Sequence, residues 1–177
     1  GSFSTTRFAT KASGMTNDVA YVASGWRFRT NGYRQHSTAE RELANVKLSA
    51  QPWAGAKVTL VANDFSSPNA QDPLGLTRAQ MESDPEQAGT NAELYNTRKS
   101  VSQTQGGITL SAPVGAGGTV SVMAYSGQRD AEQYQSIAKV AQTPATHPGG
   151  VIDLSRDYSG FDLRWAQDLG TAGMSPS

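Results

Sequence analysis

Apolar and polar side chains alternate over stretches of about ten residues along this 177-residue chain, and a period of two is what a strand with unlike faces requires. The clearest stretch runs from Asp18 to Thr30. There Ala20, Val22, Trp26 and Phe28 fall on one side, and Tyr21, Ala23, Gly25, Arg27 and Arg29 on the other. Leu43 to Pro52 sets Ala44, Val46, Leu48 and Ala50 against Asn45, Lys47, Ser49 and Gln51. Phe161, Leu163 and Trp165 alternate with Gly160, Asp162, Arg164 and Ala166. Val58, Leu60 and Ala62, and then Val120, Val122 and Ala124, mark two more strands, while Phe3 to Ser13 and Val101 to Ala112 bring the number to seven. The expected fold is all-β and antiparallel, with Trp26, Leu48 and Trp165 on one lipid-compatible face and Arg27, Arg29, Lys47, Asp162 and Arg164 on the water-facing side.

Short and long connections take turns. Gly14 to Asn17, Trp53 to Ala56 and Val114 to Gly118 are rich in Gly, Asn, Ala and Pro, as tight hairpins are. Asn31 to Arg41, Ser66 to Arg98 and roughly Asp130 to Leu154 are long and fall at the opposite end. Up-and-down strands with short turns on one side and long loops on the other describe an outer-membrane barrel. All eight prolines are expected in or beside connections, where none removes a ladder hydrogen bond from a strand centre. Thr77 followed by Gln80 reads as a capping box that starts a short helix over Arg78 to Ser83.

Composition is compatible with that reading. A mean hydropathy of -0.49 suits a water-soluble protein, but a barrel strand shows lipid only every second side chain and can be as polar. No stretch approaches the roughly 20 apolar residues of a membrane-spanning helix. Fifteen basic and fifteen acidic residues cancel, which leaves no global field to draw nucleic acid. The absence of cysteine removes disulfides and thiolate chemistry. The opening GSFSTTRFATK does not have the charged-then-apolar form of a signal peptide.

The segments NGYRQHS (31–37), SSPNAQDPLGLTRAQ (66–80), YNTRKSVSQTQGG (95–107) and VIDLSRDYSGFDLRW (151–165) resemble the barrel of TonB-dependent siderophore receptors, and the run ANDFSSPNAQDPLGLTR is the most specific part. The resemblance implies a 22-stranded barrel in the bacterial outer membrane, filled by an N-terminal plug domain, that takes up ferric siderophore with energy delivered by the TonB complex. Residues 1–177 then correspond to a barrel fragment without the plug and the remaining strands.

No GxSxG elbow, HExxH pair or GxxxxGK[ST] loop occurs, which agrees with what the resemblance implies, a transporter and not an enzyme, with a ferric siderophore as cargo and no covalently bound cofactor or metal site expected. The glycines of VGAGGT (114–119) read as a hairpin turn rather than a phosphate cradle, because a strand follows them. His36 and His147 sit in different long loops, and Glu82, Asp84 and Glu86 lack the ligand spacing of a calcium loop. Ferric siderophores are commonly anionic and carry planar chelating groups, which arginine and tyrosine recognise by pairing and stacking. Tyr33, Arg34, Tyr95, Arg98, Arg129 and Tyr134 are the candidates for that contact. A second architecture stays open, a soluble β-sandwich that binds a glycan or protein through its long loops. A porin is a third.

Overall fold

The computed structural model describes residues 1–147 and 149–168. Seven strands form one sheet in chain order, each antiparallel to the next: β1 Thr6–Thr16, β2 Val19–Thr30, β3 Ala39–Ala50, β4 Lys57–Gln71, β5 Arg98–Val114, β6 Gly118–Tyr134 and β7 Val151–Gln167. Two short helices, α1 Arg78–Ser83 and α2 Thr90–Leu94, lie in the connection between β4 and β5. The sheet is open. Among the described residues β1 and β7 each have one neighbour, and both run from the long-loop end to the short-turn end.

The strands outrun their alternating cores at the loop end, which shortens the long connections to 31–38, 72–97 and 135–150. Two prolines enter strands, Pro68 at the loop end and Pro113 at the short-turn end. Pro68 sits in β4 at a register shift between Ser67 and Ala70, and Pro113 pairs with Thr119 near the end of β5. Both places spare a central ladder bond, as proline requires. Pro148 and Pro176 lie outside the described residues. At the short-turn end, Asn17 takes a positive φ of 53° in the two-residue link that pairs Thr16 with Val19. Gly115 and Gly117, at 61° and 75°, make the last hairpin, so the VGAGGT glycines serve a turn. Thr77 and Gln80 cap α1 reciprocally.

Among the described residues no second layer covers the sheet: each strand packs only on its neighbours, apart from a small contact of β2 with the turn at Ser2–Ser4. This is not the two-layered arrangement of a sandwich. Buried side chains among the described residues are limited to Ala56, Ala92, Ser67 and Thr97, none of them a large hydrophobe. The apolar side chains instead point outward, with Phe161 82%, Leu163 66% and Trp165 69% exposed.

The register sorts the side chains into two faces. One row reads Gly14, Tyr21, Leu48, Leu60, Ile108, Ala124, Phe161, and the next towards the short turns reads Thr16, Val19, Ala50, Val58, Leu110, Val122, Leu163. This is the apolar face. The intervening positions carry Lys47, Asn45, Asn63, Gln105, Tyr158 and Asp162, and form the amide face. Asn45, Asn63, Gln105 and Tyr158 are half-buried, whereas Val46, Ala62, Gly106 and Ser159 beside them are exposed. With nothing lying over either side, that difference reflects a sheet curved towards its amide face.

Strand β2 corrects the expected faces. Trp26 pairs with Leu43 and Phe28 with Arg41, on the same side as Lys47 and opposite Leu48 and Trp165. Arg27 and Arg29 pair with Glu42 and Glu40 on the apolar side, at the long-loop end beyond the apolar rows. The five residues expected on one water-facing side are therefore split, Lys47, Asp162 and Arg164 on the amide face and Arg27 and Arg29 on the other. Arg27 and Arg29 avoid isolation there by converging on Glu40, with Arg27 also 2.8 Å from Glu42.

Candidate functional site

The amide face carries a continuous hydrogen-bonded row across the middle of the sheet. Asn63 donates to Asn45, Gln105 Nε2 donates to Asn63 Oδ1 at 3.2 Å, and the Tyr158 hydroxyl donates to Gln105 Oε1 at 2.7 Å. Gln103 Nε2 donates to the same Gln105 oxygen at 3.2 Å, and Gln103 Oε1 accepts from Arg129 Nη1 at 3.2 Å. Five strands contribute, so the row fixes neighbouring strands in register and presents amides to whatever lies against this face. Trp26, Leu43 and Phe65 form a shorter apolar row beside it.

Gly127 makes room for this row. A Cβ there would meet the Tyr158 hydroxyl at 2.6 Å and Gln105 Cβ at 2.7 Å. Gly127→Val is expected to push Tyr158 off Gln105 and cost about 1–3 kcal/mol in a denaturant titration. Gly106→Val is the control, since its nearest contact would be Val61 O at 3.6 Å. Equal midpoints for the two variants would exclude the packing role.

Charge is divided between the faces. Arg7 and Lys11 of β1, Arg41 and Lys47 of β3, Lys57 of β4 and Lys99 of β5 project from the amide face, as do Arg129 of β6 and Arg156 and Arg164 of β7. Asp162 is the one strand carboxylate beside them among the described residues, and it pairs with Arg164 at 2.7 Å. The other face holds Glu40, Glu42, Asp64, Asp130, Glu132, Asp153 and Asp157 against Arg27, Arg29 and Arg98. A composition that sums to zero thus hides a basic face and an acidic one.

The six residues expected to touch ligand do not converge. Arg129 lies on the amide face, and Arg98 and Tyr134 lie on the opposite one, where the guanidinium stacks 3.6 Å from the ring centroid. Tyr33 meets Phe3 edge-on at 5.4 Å, and Tyr95 caps the end of α2. Arg34 is spent on structure: Nε, Nη1 and Nη2 donate to the carbonyls of Gln87, Leu74 and Pro73 at 2.9, 2.6 and 3.2 Å. With Gln35 N donating to Glu86 O at 2.7 Å and His36 Nε2 2.8 Å from Thr97 O, it joins loops 31–38 and 72–97 into one cap.

His147 Nδ1 lies 2.8 Å from Ala141 O, and Glu82 pairs with Arg78 at 2.9 Å. No group of three metal-ligating side chains comes together among the described residues. A depression of about 360 Å³ lies at the short-turn end between Met15, Asp18, Ser49 and Lys57, remote from the loops. The amide row and the basic face were missed in the sequence because neither is a local motif. Their signal is the polar partner position of each apolar alternation, read across strands instead of along one. No protein-family model matches the chain.

Proposed function

We propose that these seven strands are a stretch of the wall of a bacterial outer-membrane barrel, belonging to a TonB-dependent receptor that imports a ferric siderophore. The apolar face meets hydrocarbon and the amide face looks into a hydrated lumen. The siderophore, the plug domain and the TonB complex enter through the resemblance of the loop segments. The wall reading rests on one observation, that the exposed, outward-curved face is the apolar one, the reverse of a protein folded around its own core.

The outline of the apolar field supports it. Its upper limit lies at Phe8 on β1 and at Phe161 on β7, whose row passes through Gly14 of β1, a drop of six residues over six strand steps. The turns descend in parallel: β1 ends at Thr16 in the row of Leu110, while β5 continues to Val114. With about 3.4 Å per residue and about 4.8 Å between strands, one residue per strand makes the field level when the strands tilt by about 35°. Barrel strands in membranes tilt by roughly that much.

Spin labels test both parts, and residues 1–177 contribute no cysteine of their own to the labelling. Ala12 and Ser159 lie in one row of the sheet, yet the tilt separates their depths by about 16 Å. In the full-length polypeptide in phospholipid vesicles, a label at Leu60→Cys and one at Ala12→Cys should relax with oxygen, and one at Ser159→Cys with a water-soluble nickel chelate. A water-exposed label at Leu60 would refute the wall reading, and equal behaviour at Ala12 and Ser159 would refute the tilt alone.

A further inference from the structure

We infer that the register of β6 on β7 is set by two reciprocal contacts, in each of which a tyrosine ring lies over a glycine of the neighbouring strand. The chain carries Tyr-Ser-Gly twice, at 125–127 and at 158–160. Running antiparallel, the two triplets pair with each other: Tyr125 stands opposite Gly160, Ser126 opposite Ser159 and Gly127 opposite Tyr158. Each ring fills the space its partner leaves. A Cβ at Gly160 would meet the Tyr125 hydroxyl at 2.6 Å, just as one at Gly127 would meet that of Tyr158, and the two ring centroids lie 6.4 Å apart. The contact at Gly127 thus has a twin, and together they form a joint with local two-fold symmetry about Ser126 and Ser159.

This strand pair needs such a device. A tight turn fixes the register of the strands it joins, and a long loop such as 135–150 does not. The apolar face leaves the choice open, because a shift of two residues sets Val122 against Phe161 or Trp165 instead of Leu163. Charge favours a shift: Arg129 and Arg156 stand directly opposite each other, which is destabilising, and a shift of two in either direction separates them. Ser155 donates to Asp130 at 2.7 Å, but after such a shift it would face Gln128 or Glu132, which also accept. The joint is what resists. One shift sets Tyr125 against Tyr158 on the inner side of the curve and Gly127 against Arg156, and the other sets Gly127 against Gly160 and leaves both rings without a glycine. The other pairs with long links carry their own specific contacts, Arg27 and Arg29 with Glu40 between β2 and β3, and Gln105 with Asn63 between β4 and β5. Tyr21 lies over Gly14 in the same manner, but β1 and β2 are joined by two residues, so there the turn already decides.

Disulfide trapping in the folded full-length polypeptide, read by peptide mapping, tests the inference. Residues directly opposite on adjacent strands have Cα atoms about 4.5–5.5 Å apart, and diagonal pairs about 7–8 Å, beyond the reach of a disulfide. Ser126→Cys with Ser159→Cys should therefore cross-link, whereas Ser126→Cys with Asp157→Cys or with Phe161→Cys should not. Adding Tyr125→Ala and Tyr158→Ala should raise the two shifted products about tenfold, with a matching loss of the native one. Tyr125→Phe with Tyr158→Phe keeps both rings, gives up the Tyr158 bond to Gln105, and should keep the native product alone. Tyr21→Ala should leave the cross-link of Ala12→Cys with Ala23→Cys within about twofold, since the turn holds that pair. The native product alone in the alanine pair, or in Tyr125→Ala by itself where the pair does not fold, would overturn the inference. Shifted products in the phenylalanine pair would also overturn it, and assign the register to the hydrogen bond. The inference stands on pairing alone, so it holds whether or not the opposite face meets lipid.

Discussion

Leu60→Arg is expected to destabilise the bilayer-inserted protein by about 2–4 kcal/mol, the cost of a guanidinium near the middle of the hydrocarbon layer. Val61→Arg, one residue along the same strand, is expected to cost less than about 1 kcal/mol because its side chain leaves from the amide face. The two native residues are similarly exposed, 43% and 40%, so exposure cannot separate them. Only the side they face can. Urea titration of vesicle-folded protein, followed by tryptophan emission, measures the difference. Equal shifts in both variants would mean that the two faces meet the same solvent, and the membrane assignment would fall.

Arg34→Ala should act locally and strongly. It removes a charged donor from three partly buried carbonyls, each such bond contributing roughly 1.5–3 kcal/mol. About 3 kcal/mol of lost local stability corresponds to amide exchange on the order of a hundredfold faster in the cap. The amides to watch are Gln35, which donates to Glu86 O, and Gly89, which donates to Pro73 O at 2.8 Å. Strand amides near Gln105 should keep their protection. Arg34→Lys, with the charge but not the fork, should recover only part of the effect. Unchanged exchange at Gly89 would show that the cap holds without the guanidinium.

What could be read from the chain, and what could not, follows from the range of the interactions involved. The strands, the turn glycines and the Thr77 cap depend on neighbours within a few residues, and each was legible. So was the apolar side of β3, β4, β6 and β7, where Leu48, Leu60, Val122 and Leu163 fall on one face. Strand β2 was misread because alternation tells that two sides differ and never which sides of separate strands coincide. Its outer positions change character midway, from Tyr21 and Ala23 to Arg27 and Arg29, as the strand leaves the apolar field. Trp26 and Phe28 on the inner side then look like the lipid-facing set. The ligand candidates do not come together for a related reason: Arg98 and Arg129 are both arginines at the loop end, but they lie on different faces of a sheet whose register no single segment encodes.

The direction of the two border strands restricts how the sheet can be finished. Since β1 and β7 descend together, bending the sheet round to join them, or setting copies side by side in the same orientation, would bring like-directed strands into contact. An all-antiparallel ring therefore needs an odd number of additional strands, the first of them climbing beside β7 from the short-turn end. If the proposed ring is formed, the added strands supply that count, and the total is then even, as in bacterial outer-membrane cylinders made from one polypeptide.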